Sequence, residues 1–292
     1  MKKTFIQLVL LMVFISAFSA PQITDPDQFV RTGIAVNADT THESARHDFV
    51  ISGRVLFPAA IQNEILLQKT GYSVSYNCDY NIANWVAYEL TEEETKPKVK
   101  RKNNFIADPM ISSCLVVPDD YARSGYDKGH LAPCADMCWS LQTMKESFYM
   151  TNMAPQKPRL NRGMWKRLED QTRDWAAEND SIFIVTGPVL KTGLPTIGQN
   201  RVSVPDAFYK VVFDYSGPEM KGIAFVMANS RLTGDLMDYA VSIDSVEKLT
   251  GLDMFYNLPD EKESLVESTI NLKNWLWKGK ALKNDDEEDD EE

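Results

Sequence analysis

Five short runs rich in aromatic and β-branched residues, at 72–76, 84–90, 181–185, 208–215 and 222–227, flank one amphipathic stretch at 162–178. In that stretch Met164, Trp165, Leu168, Thr172 and Trp175 recur at helical spacing. The short runs have the composition of strands, and the long one has a single apolar stripe that a helix must bury. Further helices are expected at 243–250 and 260–270. Strands and helices in this order do not alternate as βαβ units do, which predicts an α+β domain with a mixed, largely antiparallel central sheet flanked by helices. No Gly/Ser- or Pro-rich linker divides the middle of the chain, and 43% hydrophobic residues among 292 suffice for one substantial core.

The ends read differently. Lys2 and Lys3 precede an apolar run broken only by Gln7, and Ala17 and Ser19 supply small residues where a signal peptidase reads them. Residues 1–19 are therefore expected to be a signal peptide, directing a secreted or periplasmic protein. The run is well short of the roughly 20 residues needed to cross a bilayer, so no membrane span is expected in the mature protein. A polar extension over 20–48 and one folded domain over 49–283 follow. Residues 285–292 are all acidic. Like charges in a block repel and bury nothing, so 284–292 is expected to be a disordered tail. Export would place Cys78, Cys114, Cys134 and Cys138 in an oxidising compartment, where an even count is compatible with two disulfides and at least one is expected. Spacing does not choose among the three connectivities. A zinc site is the alternative, although the paired close knuckles of a zinc ribbon are missing.

Chemistry is concentrated in two polar constellations. The first is Ser124-Gly125-Tyr126-Asp127-Lys128-Gly129-His130-Leu131-Ala132-Pro133. The chain has three histidines, and His42 and His47 sit together in the N-terminal segment, so His130 is the candidate general base. Its neighbours predict a tight polar loop that presents an imidazole at a surface. The second constellation is Thr151-Asn152-Met153-Ala154-Pro155-Gln156, then Asn161, Glu169 and Arg173. Each residue also has a plain reading: a lone structural His130, a turn-forming Asp127, a helix N-cap at Asn161, and an i,i+4 surface pair of Glu169 with Arg173 worth about 0.2 to 0.5 kcal/mol. The net charge of −11 is unpromising for a polyanion-binding protein, but eight of the 42 acidic residues lie in the tail. Basic residues cluster beside the motifs, at Lys96, Lys98, Lys100, Arg101 and Lys102 and again at Lys157, Arg159, Arg162, Lys166, Arg167 and Arg173. A protein acidic overall can still offer phosphates a local positive field.

Taken in order, these segments resemble the DNA/RNA non-specific endonucleases of the ββα-metal type, the family that includes mitochondrial endonuclease G. The family signature is Asp-Arg-Gly-His followed by an Asn and a Glu eight residues apart. Asp127, Gly129, His130, Asn161 and Glu169 match it, and Lys128 stands where the family usually has Arg. Lysine keeps the charge but lacks the planar fork that grips a phosphate bidentately. The resemblance runs from about Tyr72 to about Trp277 and takes in Trp85-Val86-Ala87-Tyr88, Val185-Thr186-Gly187-Pro188 and Leu249-Thr250-Gly251-Leu252-Asp253.

It implies a ββα-metal active-site motif and a metal-dependent endonuclease acting on DNA and RNA without sequence specificity. In that reading His130 is the base and Asn161 the ligand of Mg²⁺, with Mn²⁺ as a substitute. Mg²⁺ prefers oxygen and keeps several waters, so one Asn carbonyl suffices from the protein. Glu169 would hold metal-bound water, Asn152 and Arg173 would organise the site and its phosphates, and Asp127 would orient the loop or a water near His130. Lys128, Arg162 and Arg101, the best match to the family's upstream arginine, are the expected substrate-binding cations. A homodimer is compatible with the resemblance. The alternatives are a phosphodiesterase acting on small nucleotides and a catalytically silent nucleic-acid-binding protein of the same fold. No helix-turn-helix or zinc-finger pattern is present to read bases.

Overall fold

Side chains of successive strand residues point to opposite faces, and in this chain both faces are buried. The structure, a computed structural model, describes residues 56–216 and 219–278. Its strands are β1 (Glu64–Gln68), β2 (Ser73–Asn77), β3 (Ile82–Thr91), β4 (Asp127–His130), β5 (Met153–Gln156), β6 (Ser181–Pro188), β7 (Thr196–Ile197), β8 (Val202–Ser203), β9 (Ala207–Asp214), β10 (Lys221–Ala228) and β11 (Ala240–Val241). The α-helices are α1 (Leu141–Glu146), α2 (Trp165–Glu178), α3 (Ile243–Thr250) and α4 (Asp260–Ser268). Seven strands form the central sheet in the order β1-β2-β3-β6-β9-β10-β11, while β4 pairs with β5 and β7 with β8. Each of these pairings is antiparallel. The α+β expectation stands, with an antiparallel sheet where a partly mixed one was also open.

On one face Phe208 and Val212 of β9 join Ile184, Phe225 and the α2 residues Trp165, Leu168 and Trp175. On the other, Tyr209, Val211 and Phe213 join Trp85, Val185, Ile243 and Val246 of α3 and Val266 of α4. Burial on both faces explains why the central strands read as near-continuous apolar runs. The thin edge strand β1 and the short helix α1 carry too little pattern to be found that way.

The start of α2 differs from expectation. Gly163 departs from helical geometry at φ −112° and ψ −112°, so Leu160–Met164 is a wide π-type turn and the regular helix begins at Trp165. Asn161 lies inside that turn and is not a helix N-cap. Helix α3 matches its expected bounds and closes on Gly251 at φ 73°, a left-handed position that glycine takes without a Cβ clash. Helix α4 stops at Ser268, two residues early.

The cysteines divide into a Cys78–Cys114 disulfide and two buried free thiols, Cys134 and Cys138, with Sγ atoms 3.6 Å apart. They do not gather around one point, as a zinc site using all four would need. The expected signal peptide, the 20–48 extension and the 284–292 tail lie outside the described residues. Among the described residues no helix is long and apolar enough to cross a membrane.

Candidate active site

Strands β4 and β5, followed by the wide turn and α2, form a ββα unit. Asp127 pairs with Gln156, Gly129 with Ala154, and His130 with Met153. A Cβ at Gly129 would lie 2.2 Å from Gln156 Oε1, so glycine is what lets Gln156 cross the pair. The chain leaving β4 is pinned by Asn152. Its Oδ1 accepts from Ala132 N at 2.9 Å, and its Nδ2 donates to the carbonyls of Ala132 and Ser147 at 2.9 and 2.8 Å. Asn152 is fully buried, so it acts on the site from behind.

His130 ends a strand where a polar loop was expected, and it is only 8% exposed. Its ring stands edge-on to Phe148 at 5.1 Å and tilted to Phe105 at 5.7 Å. Nε2 is buried without a hydrogen-bond partner among the described residues. Burial, and then the nearby Arg101 charge, push the imidazole down to about 3, which keeps it neutral.

A cleft of about 530 Å³ lies over the unit. It is lined by Arg101, by Asp127, Lys128 and His130 of β4, and by Asn161, Arg162, Glu169 and Arg173 from the turn and α2. Of the expected site residues only Asn152 stays outside it. Asp127 is not a turn former: its carboxylate receives Arg162 Nε and Nη2 at 2.8 and 2.6 Å and Asn161 Nδ2 at 2.9 Å. It thus anchors the turn before α2.

Arg173 is bound to Asp136 at 2.7 Å and to Asp170, replacing the simple pair with Glu169. Asp136 is 1% exposed and also accepts the Tyr88 hydroxyl at 2.7 Å. Below them Lys210 of β9 is fully buried, its Nζ 5.4 Å from the Trp165 ring centre and without a hydrogen bond among the described residues. Burial raises Glu169 to about 7, against the downward pull of Lys210 and Arg173. Burial likewise lowers Lys210, against the pull of Glu169 and Asp136.

The basic clusters separate. Lys96 and Lys98 pair with Glu92 and Glu93, and Lys166 with Asp170. Among the described residues Arg101 and Lys128 have no ion-pair partner. Lys128 Nζ sits 5.3 Å from the Phe105 ring centre, and the Arg101 guanidinium 5.4 Å from that of Phe148.

The sequence model of the DNA/RNA non-specific endonucleases matches residues 53–261, a span that holds β4, β5 and α2. The chain belongs to that family. It is 34% identical over 219 residues to a nuclease of Nostoc sp., covering 70% of this chain and 78% of that protein. It is 29% identical over 222 residues to a nuclease of Serratia marcescens, covering 72% and 82%. With human mitochondrial endonuclease G it shares 30% identity over 226 residues, covering 71% and 75%. A chain from the crystal structure of the EndoG/EndoGI complex superposes with a TM-score of 0.67 at 27% identity, covering 72% of this chain and 92% of that one.

Within this endonuclease-family chain, sequence reading missed Asp136 and Lys210. Lys210 had a usable signal: a lone lysine inside the run Ala207–Asp214 must find compensating charge if the strand is buried. Asp136 had none.

Proposed function

We propose that this chain is an exported, divalent-metal-dependent endonuclease hydrolysing the phosphodiester bonds of DNA and RNA without reading base sequence. The convergence of His130, Asn161 and Glu169 in one cleft with the unpaired cations Arg101 and Lys128 carries the reading. The donor set fits a hard cation. Because the Asn161 nitrogen is engaged by Asp127, Oδ1 remains as the acceptor. With the half-buried Glu169 carboxylate nearby, that is oxygen chemistry suited to Mg²⁺ or to Mn²⁺ in its place. Asn161 would hold the ion directly and Glu169 would hold its water. When bound, the ion neutralises phosphate charge and stabilises the leaving oxygen.

The remaining steps belong to the side chains. Arg101 and Lys128 draw a phosphate into the cleft and orient it. His130, held neutral and packed between Phe105 and Phe148, takes the proton of the attacking water. Burial is the main cause of the low His130 value; a phosphate beside Arg101 offsets the smaller part that the arginine adds, which makes the imidazole a stronger base when substrate is present. Asn152 fixes the chain just beyond the base. Arg173, clamped by Asp136 and Asp170, supplies positive charge close to Glu169. Contacts of this kind recognise backbone phosphate, which carries no sequence information. Export is supported by the Cys78–Cys114 bridge, since such bonds persist in oxidising compartments.

A plasmid-nicking assay tests the reading. Supercoiled DNA should be nicked and then degraded with Mg²⁺, RNA should be cut as well, and chelator should stop both. Absence of cleavage with either Mg²⁺ or Mn²⁺ would overturn it.

A further inference from the structure

On the face of the sheet opposite α2, helices α3 and α4 pack against β10 and against each other. Three acidic side chains meet there. Asp244 and Glu247 of α3 each offer a carboxylate oxygen that lies, with one from Glu267 of α4, in a group whose members are all within 4.8 Å of one another. Acidic residues often cluster on surfaces without consequence, but Glu267 is not on the surface. It is 5% exposed, and its Oε1 is buried with no hydrogen-bond partner among the described residues. Glu247 uses Oε1 to receive Met254 N at 2.6 Å, which fixes its carboxylate at the end of α3 and leaves the second oxygen available. The other charges felt at Glu267 include the acids Glu263 and Asp253. A carboxylate buried among carboxylates is unfavourable unless positive charge compensates it.

We propose that Asp244, Glu247 and Glu267 form a structural site for a hard divalent cation, Ca²⁺ by its chemistry, which clamps α4 to α3. All the donors are carboxylate oxygens, which selects against soft metals. Ca²⁺ takes 6–8 oxygen ligands in adaptable geometry, and the half-buried positions of Asp244 and Glu247 leave room for waters to complete the shell. The site draws on none of the cleft residues, so it stands whether or not the proposed nuclease chemistry is right.

The experiment uses the full chain, stripped with chelator and then titrated with Ca²⁺ by calorimetry, with thermal unfolding followed in parallel. In the wild-type protein Ca²⁺ should raise Tm by several degrees. Glu267→Gln should bind one ion fewer and lose that rise, while still nicking plasmid DNA at the wild-type rate in Mg²⁺. Its metal-free Tm should be no lower than that of the wild type, because no charge is left buried. Asp244→Asn, at a less buried position, should weaken Ca²⁺ binding at least tenfold and serves as the second variant. If both variants keep the wild-type stoichiometry and Tm rise, the cluster is no cation site, and Glu267 is a buried carboxyl that simply holds its proton.

Discussion

The side-chain nitrogen of Asn161 donates to Asp127 Oδ2 at 2.9 Å across 34 positions of sequence. An amide has one donor end and one acceptor end, so this bond decides which end of Asn161 remains to meet a cation. The same carboxylate holds Arg162 through two nitrogens, and it ties the wide turn before α2 to strand β4.

Asp127→Ala releases both partners. Loss of a group that orients a metal ligand typically costs about 10- to 100-fold in affinity or activity. Nicking at low Mg²⁺ should fall by that amount and recover in part as Mg²⁺ is raised. A Mg²⁺ dependence identical to the parent's would exclude this role for Asp127.

Base and ligand separate by substitution. His130→Ala should keep Mg²⁺ binding while cleavage drops at least roughly 10²-fold. Asn161→Ala should lose both, with partial rescue at high Mg²⁺, and Glu169→Gln should fall between the two. Metal titration and nicking rates on the same folded proteins make the comparison, and parental cleavage by His130→Ala would contradict the mechanism.

His130 also predicts a pH dependence of stability. Its ring is pushed down to about 3 in the folded protein, from an ordinary value near 6.5. As pH falls below 6.5 the unfolded chain takes up a proton that the folded chain refuses, so stability is lost down to about pH 3. The slope is up to about 1.4 kcal/mol per pH unit. Urea unfolding between about pH 7 and pH 5 should therefore fall less steeply for His130→Phe than for the wild type. Equal slopes would mean that the imidazole is not desolvated.

Burial raises the Glu169 carboxyl to about 7 even against the downward pull of Lys210. Lys210→Met removes that charge at similar volume, so Glu169 should rise further and the acid limb of the pH–rate profile should move to higher pH. An unmoved limb would show that Glu169 ionisation does not control the rate.

The cysteines give a count. Denatured without reductant, the protein should present two reactive thiols, from Cys134 and Cys138, and four after reduction. Cys78→Ser should destabilise the domain by about 2 to 4 kcal/mol, read by denaturant unfolding. Four free thiols at the outset would rule the bridge out.

Strands β2, β3, β6, β9 and β10 and helix α3 were legible from residue type and periodicity alone, because burial of a face repeats with the backbone's own period. The order of Asp127, Gly129, His130, Asn161 and Glu169 was legible as well, and it pointed to the family that the comparisons support. Partnership was not legible. Arg173 turned to Asp136 and Asp170 and away from a simple Glu169 pair, Asn152 turned inward to hold Ala132 and Ser147, and Lys210 came to lie beneath Glu169. Periodicity is set by neighbours along the chain. The partner of a polar side chain is set by which distant segments the packed sheet brings beside it, so these assignments existed only once β4, β9 and α2 had been brought together around the shared core.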